Sequence, residues 1–231
     1  MKKIITTVAV LLLTTFSAKA LEMPNLGIFS LTAGAAANTS VYGASARTDN
    51  FDEADTTIIE TDKQSGVFAD THSSQFLELG IGKYVSLGYE MGEGVSTPSN
   101  VSNEGNKNGS EQTTSVTFQD LNTTYLKVNI PGGAYLKYGT VETDLDVKTT
   151  RSVYKDVSIS GTTMGVGYQR HFGDTGFGVR IEGSYLEFDN AASQDVATAV
   201  ITDNGKNVIS ATNLEGATAK LALTYTFGRN N

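Results

Sequence analysis

The 231-residue chain is acidic, with 25 Asp and Glu against 17 Lys and Arg, a net charge of −8, and it has no cysteine. That charge argues against nucleic acid and against polybasic attachment to anionic lipid. Without cysteine there is no disulfide framework and no thiolate metal site, and two histidines are too few for a His-rich zinc site.

The chain opens with Lys2 and Lys3, an apolar run from Ile4 to Phe16, and a small-x-small site at Ala18-Lys19-Ala20 before Leu21. This is the pattern of a secretory signal peptide over 1–20, too short to span a bilayer and removed on export. The mature domain is then expected over 21–231. Removing Lys2, Lys3 and Lys19 leaves 14 Lys and Arg against 25 Asp and Glu, a net charge near −11. No later segment approaches the roughly 18–20 apolar residues of a membrane helix, so a helical membrane protein is excluded.

Eight β-strands are predicted in chain order. The first sets Phe29, Leu31, Ala33 and Ala35 on one face and Ser30, Thr32 and Gly34 on the other. The second and third flank Gly82-Lys83: Leu77, Leu79 and Ile81 precede the turn, and Val85, Leu87, Tyr89 and Met91 follow it. A two-residue link keeps register, so all seven apolar side chains share a face, with Phe76, Glu78 and Glu90 opposite. The fourth opposes Leu126, Val128 and Ile130 to Tyr125, Lys127 and Asn129; the fifth opposes Leu136 and Tyr138 to Lys137 and Gly139. The sixth alternates Met164, Val166 and Tyr168 with Thr163, Gly165, Gly167 and Gln169. In the seventh, Val179, Ile181 and Tyr185 face away from Arg180, Glu182 and Ser184. The last carries Ala219, Leu221, Leu223, Tyr225 and Phe227 against Thr218, Lys220 and Thr224. Pro24, Pro98 and Pro131 all lie outside strand interiors, as ladder hydrogen bonding requires.

The connections alternate in length. Tight links at Gly82-Lys83, Pro131-Gly132-Gly133 and Gly173-Asp174-Thr175 separate long polar stretches near 47–65, 95–113, 143–156 and 189–212. In an antiparallel meander this puts short turns at one end and four large loops at the other, the profile of an outer-membrane barrel. A soluble secreted β-protein, with the apolar face inward, is the rival. The polar face decides between them: it holds Gly34, Gly80, Gly88, Gly92, Gly139, Gly165 and Gly167 beside long charged and aromatic residues. Glycine weakens a solvated strand, but it makes room inside an eight-stranded barrel whose interior only just accommodates side chains. The predicted fold is therefore all-β, an eight-stranded antiparallel up-and-down transmembrane β-barrel, polar inside and apolar outside.

Inside, Glu78, Glu90 and Glu182 balance Lys127, Lys137, Arg180 and Lys220. Unpaired charges in a narrow lumen are expensive, so a salt-bridged plug is expected rather than a water channel. An aromatic girdle is expected near the short turns from Tyr84, Tyr135, Tyr168, Phe172, Phe177, Tyr225 and Phe227.

The closing segment Leu221-Ala222-Leu223-Thr224-Tyr225-Thr226-Phe227 resembles the terminal strand of bacterial outer-membrane proteins, which alternates apolar residues up to a final aromatic. With the signal peptide and eight strands, the chain resembles the small outer-membrane β-barrel family of OmpA-type transmembrane barrels and opacity proteins. The resemblance implies a strand (Leu221, Leu223, Tyr225, Phe227) read by the barrel-assembly machinery. Gly228-Arg229-Asn230-Asn231 follows the aromatic where many relatives stop, and four residues are too few for the peptidoglycan-binding module of some relatives.

Chemistry-bearing clusters are few. His72 and Ser74 share a strand face, as in barrel enzymes that modify lipid A, but their parity with Glu78 turns them to the lumen. His171, beside a turn, reads as interfacial. Asp49, Asp52, Glu53, Asp55, Glu60 and Asp62 crowd one loop without the central glycine of a calcium loop, so a solvated loop is expected. The stretch 96–113 reads as flexible, and Val196 to Ile201 as a hairpin extension or short helix. No helix start follows a glycine-rich strand, so no phosphate loop and no cofactor are expected. The functional expectation is a non-enzymatic outer-membrane protein, envelope-structural or surface-recognising, with partners in lipid, the assembly machinery and an extracellular molecule met by the loops. The alternatives are a narrow passive pore for small solutes and, behind it, a lipid A-modifying barrel.

Overall fold

The structure, a computed structural model, describes residues 26–51, 54, 56–96, 100–102, 112–149, 153–196 and 207–228. Residues 1–20, read above as a signal peptide, lie outside them. Among the described residues no helix is long and apolar enough to cross a membrane.

Eight strands form the wall: β1 (Phe29–Phe51), β2 (Ile58–Ile81), β3 (Val85–Gly92), β4 (Gln112–Asn129), β5 (Ala134–Thr149), β6 (Val157–His171), β7 (Phe177–Phe188) and β8 (Asn207–Phe227). Each pairs antiparallel with its sequence neighbour, and β8 returns to pair with β1 from Leu31↔Phe227 to Asn50↔Asn207, closing the barrel. Closure leaves no free edge in the membrane, where an unpaired backbone group has no water to turn to. The tight turns rest on glycine: Gly82 at φ 63° and the Gly132-Gly133 pair at 97° and 99° occupy the left-handed region.

The predicted alternation fixes which face meets what. Leu79, Leu87 and Leu223 point outward, Leu223 68% exposed, while Arg180 is 1% exposed and Glu182 and Lys220 are buried. On β7 the apolar outward run from Phe177 to Tyr185 crosses roughly 20 Å of membrane at ordinary strand rise and tilt. Above it the outward positions turn acidic, with Glu187 directly opposite Glu215. A band of Leu, Ile, Val, Met and Tyr this wide is stable only against acyl chains.

The long polar connections are mostly strand. β1 and β2 stay paired out to Phe51↔Ile58, ten residues past Val41, about 30 Å of strand beyond the belt. β8 begins at Asn207, and Ala191–Val196 pairs with both β8 and the Val153–Tyr154 segment. The expected loops at 47–65, 143–156 and 189–212 are therefore largely β-walls rising above the membrane. They read as loops because above the belt water can bathe the outer face, and apolar alternation fades. The apolar run near Val196 starts in strand; the rest, 197–206, lies outside the described residues. Of 96–113, Asn100–Ser102 pairs with β4.

The girdle needs one correction. Tyr84, Tyr168, Phe172 and Phe177 are exposed at the short-turn end, with Tyr225 stacked edge-on between Phe177 (4.7 Å) and Phe227 (4.6 Å). Tyr135 is not among them. It shares parity with Lys137, so it points into the lumen, buried, with its hydroxyl on Glu182.

Candidate functional site in the barrel lumen

Two stacked layers fill the interior. In the lower one the seven predicted charges, from six strands, form two adjacent ion-paired sets. Arg180 grips Glu78 in bidentate fashion, Nη1 to Oε1 and Nη2 to Oε2 at 2.7 Å each, and Lys127 Nζ reaches Glu78 Oε2 at 2.5 Å. Lys220 sits 2.6 Å from both oxygens of Glu90 and 3.3 Å from Glu182; Lys137 bridges Glu182 at 2.8 Å and Glu90 at 3.2 Å. Lys127 and Lys137 are direct cross-strand partners, a like-charge pairing tolerated because carboxylates flank both.

Neutral groups complete the layer. Tyr125 donates to Glu78 at 2.8 Å, Tyr135 to Glu182 at 2.7 Å, and Ser74 to Glu90 at 2.7 Å. Gln169 Oε1 accepts from Arg180 at 2.7 Å. The guanidinium also lies 4.5 Å from the Phe76 ring centroid, within cation–π range. The inward glycines provide the space: a Cβ on Gly88 would sit 2.3 Å from Tyr125 Cζ, and one on Gly167 2.3 Å from Tyr135 Cζ. Ser74, which shares parity with Glu78, and Gln169, directly opposite Arg180 on the neighbouring strand, join the charges as expected of lumen-facing residues.

The upper layer is apolar. Tyr42, Phe68, Phe118 and Phe188 meet across the lumen, with ring centroids 5.3 Å (Tyr42–Phe68), 5.7 Å (Tyr42–Phe118) and 6.1 Å (Phe118–Phe188) apart. Val95, Leu121, Val141, Leu145, Leu186 and Leu214 pack around them. Tyr42, Phe68, Val141, Leu186 and Phe188 continue the inward parity of the ionic layer, and two bulges adjust the phase around them. In β4 the register shifts between Gln119 and Asn122, with Asp120 at φ 48°; in β8 it shifts opposite Gly43/Ser45, with Asn213 at φ 51°. Each extra residue flips the alternation, so Leu121 and Phe118 both turn inward although three apart. Asp and Asn tolerate the left-handed backbone, and their placement beside a broken alternation was the available sequence signal.

The remaining candidates fall around these layers. Ser74 Oγ is committed to Glu90 and accepts from Asn38 at 2.9 Å, so its proton is not held by His72. His72 Nδ1 is buried without a hydrogen-bond partner among the described residues. His171 faces inward at the turn end, its Nε2 3.3 Å from Thr226 and 3.1 Å from Gln169, rather than lying at the lipid interface. Of the acidic group, Asp49 accepts from the Thr61 hydroxyl at 2.6 Å and from Arg47 at 2.8 Å, contacts that hold its carboxyl below its ordinary range. Glu60 and Asp62 pair through backbone with Asn50 and Thr48; Asp52, Glu53 and Asp55 lie outside the described residues. Beneath the ionic layer the lumen opens into a polar cavity of about 280 Å³ at the short-turn end.

No family model matches the chain, and no curated protein matches its sequence. Solved structures do. The outer membrane protein OprG from Pseudomonas aeruginosa is 12% identical, with 83% of this chain and 96% of that one covered and a TM-score of 0.56. AlkL, solved in DMPC lipid bilayers, is 12% identical over 87% of this chain and 92% of its own, at 0.49. Ail of Yersinia pestis is 11% identical over 83% and 99%, at 0.39. At such identity the OprG likeness establishes a fold, that of an outer-membrane barrel, and the apolar belt is what that fold needs in lipid.

Proposed function

We propose that this outer-membrane barrel is a closed, non-enzymatic anchor whose β-walls above the membrane present a recognition surface to the environment. The observation carrying the reading is the double seal. Arg180, Tyr125 and Tyr135 are all but fully buried in the ionic layer, and an aromatic layer headed by Tyr42 stacks above it. A solute would have to break a bidentate ion pair and then cross packed rings. The alternating outward face of β8 (Leu221, Leu223, Tyr225, Phe227) supplies the segment by which the assembly machinery would recognise the chain.

Purified barrel in planar bilayers tests the seal: no reproducible unitary conductance is expected, and discrete steps would refute it. The narrow passive pore is the second reading, favoured by the cavity at the short-turn end, which already forms the lower part of a path. Under that reading, loosening the Arg180–Glu78 pair raises an existing conductance instead of creating none.

A further inference from the structure

We propose that the short-turn mouth of the lumen is a binding site for a small oxyanion of the phosphate class. The ionic layer divides into two parts. Glu90 and Glu182 with Lys137 and Lys220 form a neutral set on the upper side. Glu78 alone faces both Arg180 and Lys127, so the lower set carries one uncompensated positive charge. Gln169 offers that set a carbonyl dipole, not a charge. An unbalanced charge in a low-dielectric interior draws a counterion.

The cavity lies directly beneath this excess. Lys127 is in its wall, with Lys83 and His171, and the hydroxyls of Ser30, Ser86 and Thr226 line it. Among the described residues, no carboxylate is in that lining. Lys127 shares Glu78 with Arg180, and the Lys83 ammonium, the His171 imidazole and the hydroxyls add further donors, a set that suits an anion and repels a cation. At about 280 Å³ the space is several times the roughly 30 Å³ share of a water molecule, enough for an oxyanion and part of its hydration. Its polar wall, Ser30, Ser86, Lys127 and Thr226, belongs to the lumen face at the turn end, which favours a solute arriving from the aqueous side over a lipid headgroup.

The test is a titration of inorganic phosphate into the barrel folded in maltoside micelles, which carry no phosphate, at constant ionic strength. Backbone amide shifts of Ser30, Ser86 and Thr226 are followed by NMR. Saturable shifts confined to the mouth are expected, weakened at least tenfold by Lys127→Met, which leaves the Arg180–Glu78 pair intact. Absence of saturation in the unaltered chain, or equal affinity in Lys127→Met, overturns the site. If Lys127→Met does not fold, Lys83→Ala and Ser86→Ala replace it, and unchanged affinity in both is equally fatal. Saturation by short-chain phosphatidylglycerol but not by inorganic phosphate overturns the assignment to a free solute.

Discussion

The charge arithmetic of the lumen ranks substitutions that contact counting would treat alike. Glu78→Gln keeps volume but removes the carboxylate that holds Arg180 at 2.7 Å twice and Lys127 at 2.5 Å, leaving two buried cations unanswered. Breaking a buried pair this way costs about 3–5 kcal/mol. Lys127→Met removes a cation instead, and Glu78 keeps its bidentate pair with Arg180, so no charge is left unpaired and the cost should stay at about 1 kcal/mol. The gap of at least about 2 kcal/mol is a factor of roughly 30 in the unfolding equilibrium. Adding Lys127→Met to Glu78→Gln removes one of the two stranded cations, so the double variant should be more stable than Glu78→Gln alone. The chain has no tryptophan, so urea unfolding in vesicles is best read from the gel-mobility shift between folded and heat-denatured barrel. If Glu78→Gln proves no more costly than Lys127→Met, or the double variant is the least stable of the three, charge balance does not govern this lumen.

Two further outcomes follow from the geometry. Gly88→Ala places a methyl 2.3 Å from Tyr125 Cζ, so folding yield should fall sharply, an overpacking cost of about 1–3 kcal/mol; Tyr125→Leu in the same chain should restore part of it on the same gel. The Asp49 carboxyl is held below its ordinary range by Thr61 and Arg47, so its contribution is present above the unfolded carboxylate value and lost as pH falls through the lowered folded one. Amide exchange along the Arg47↔Lys63 end of the arm, corrected for intrinsic rate, should quicken in acid, and Asp49→Asn should abolish that dependence.

Which parts of the molecule could be read from sequence follows from where a simple period survives. Between the turns and the top of the belt, lipid outside and polar groups inside impose opposite chemistry on alternate residues, and Leu79, Arg180 and Lys220 declare their faces. Tyr135 went astray because an aromatic beside a turn suggests a girdle, whereas two-residue parity with Lys137 already turned it inward. Above the belt that contrast disappears. The walls from Arg47 to Lys63 looked like loop, although their ladder is continuous. The aromatic layer lies where the strands run on past the belt: Tyr42, Phe68 and Phe188 keep the lumen parity, and only Phe118, beyond the bulge at Asp120, belongs to the opposite set from the one its neighbours imply. The ionic residues could be found one by one, but not that three carboxylates would divide into a neutral set and a positive one.

The ionic layer also bears on how the barrel is made. Its partners are far apart in the chain, Glu78 from Arg180 by 102 residues and Glu90 from Lys220 by 130. Until the last ribbon docks, Glu90 and Glu182 share Lys137 and lack Lys220. A half-rolled sheet would drag naked charge into oil, so it cannot linger there. Sealing the cylinder and completing the ionic layer thus become one event, because the cation that Glu90 and Glu182 await sits on the closing strand.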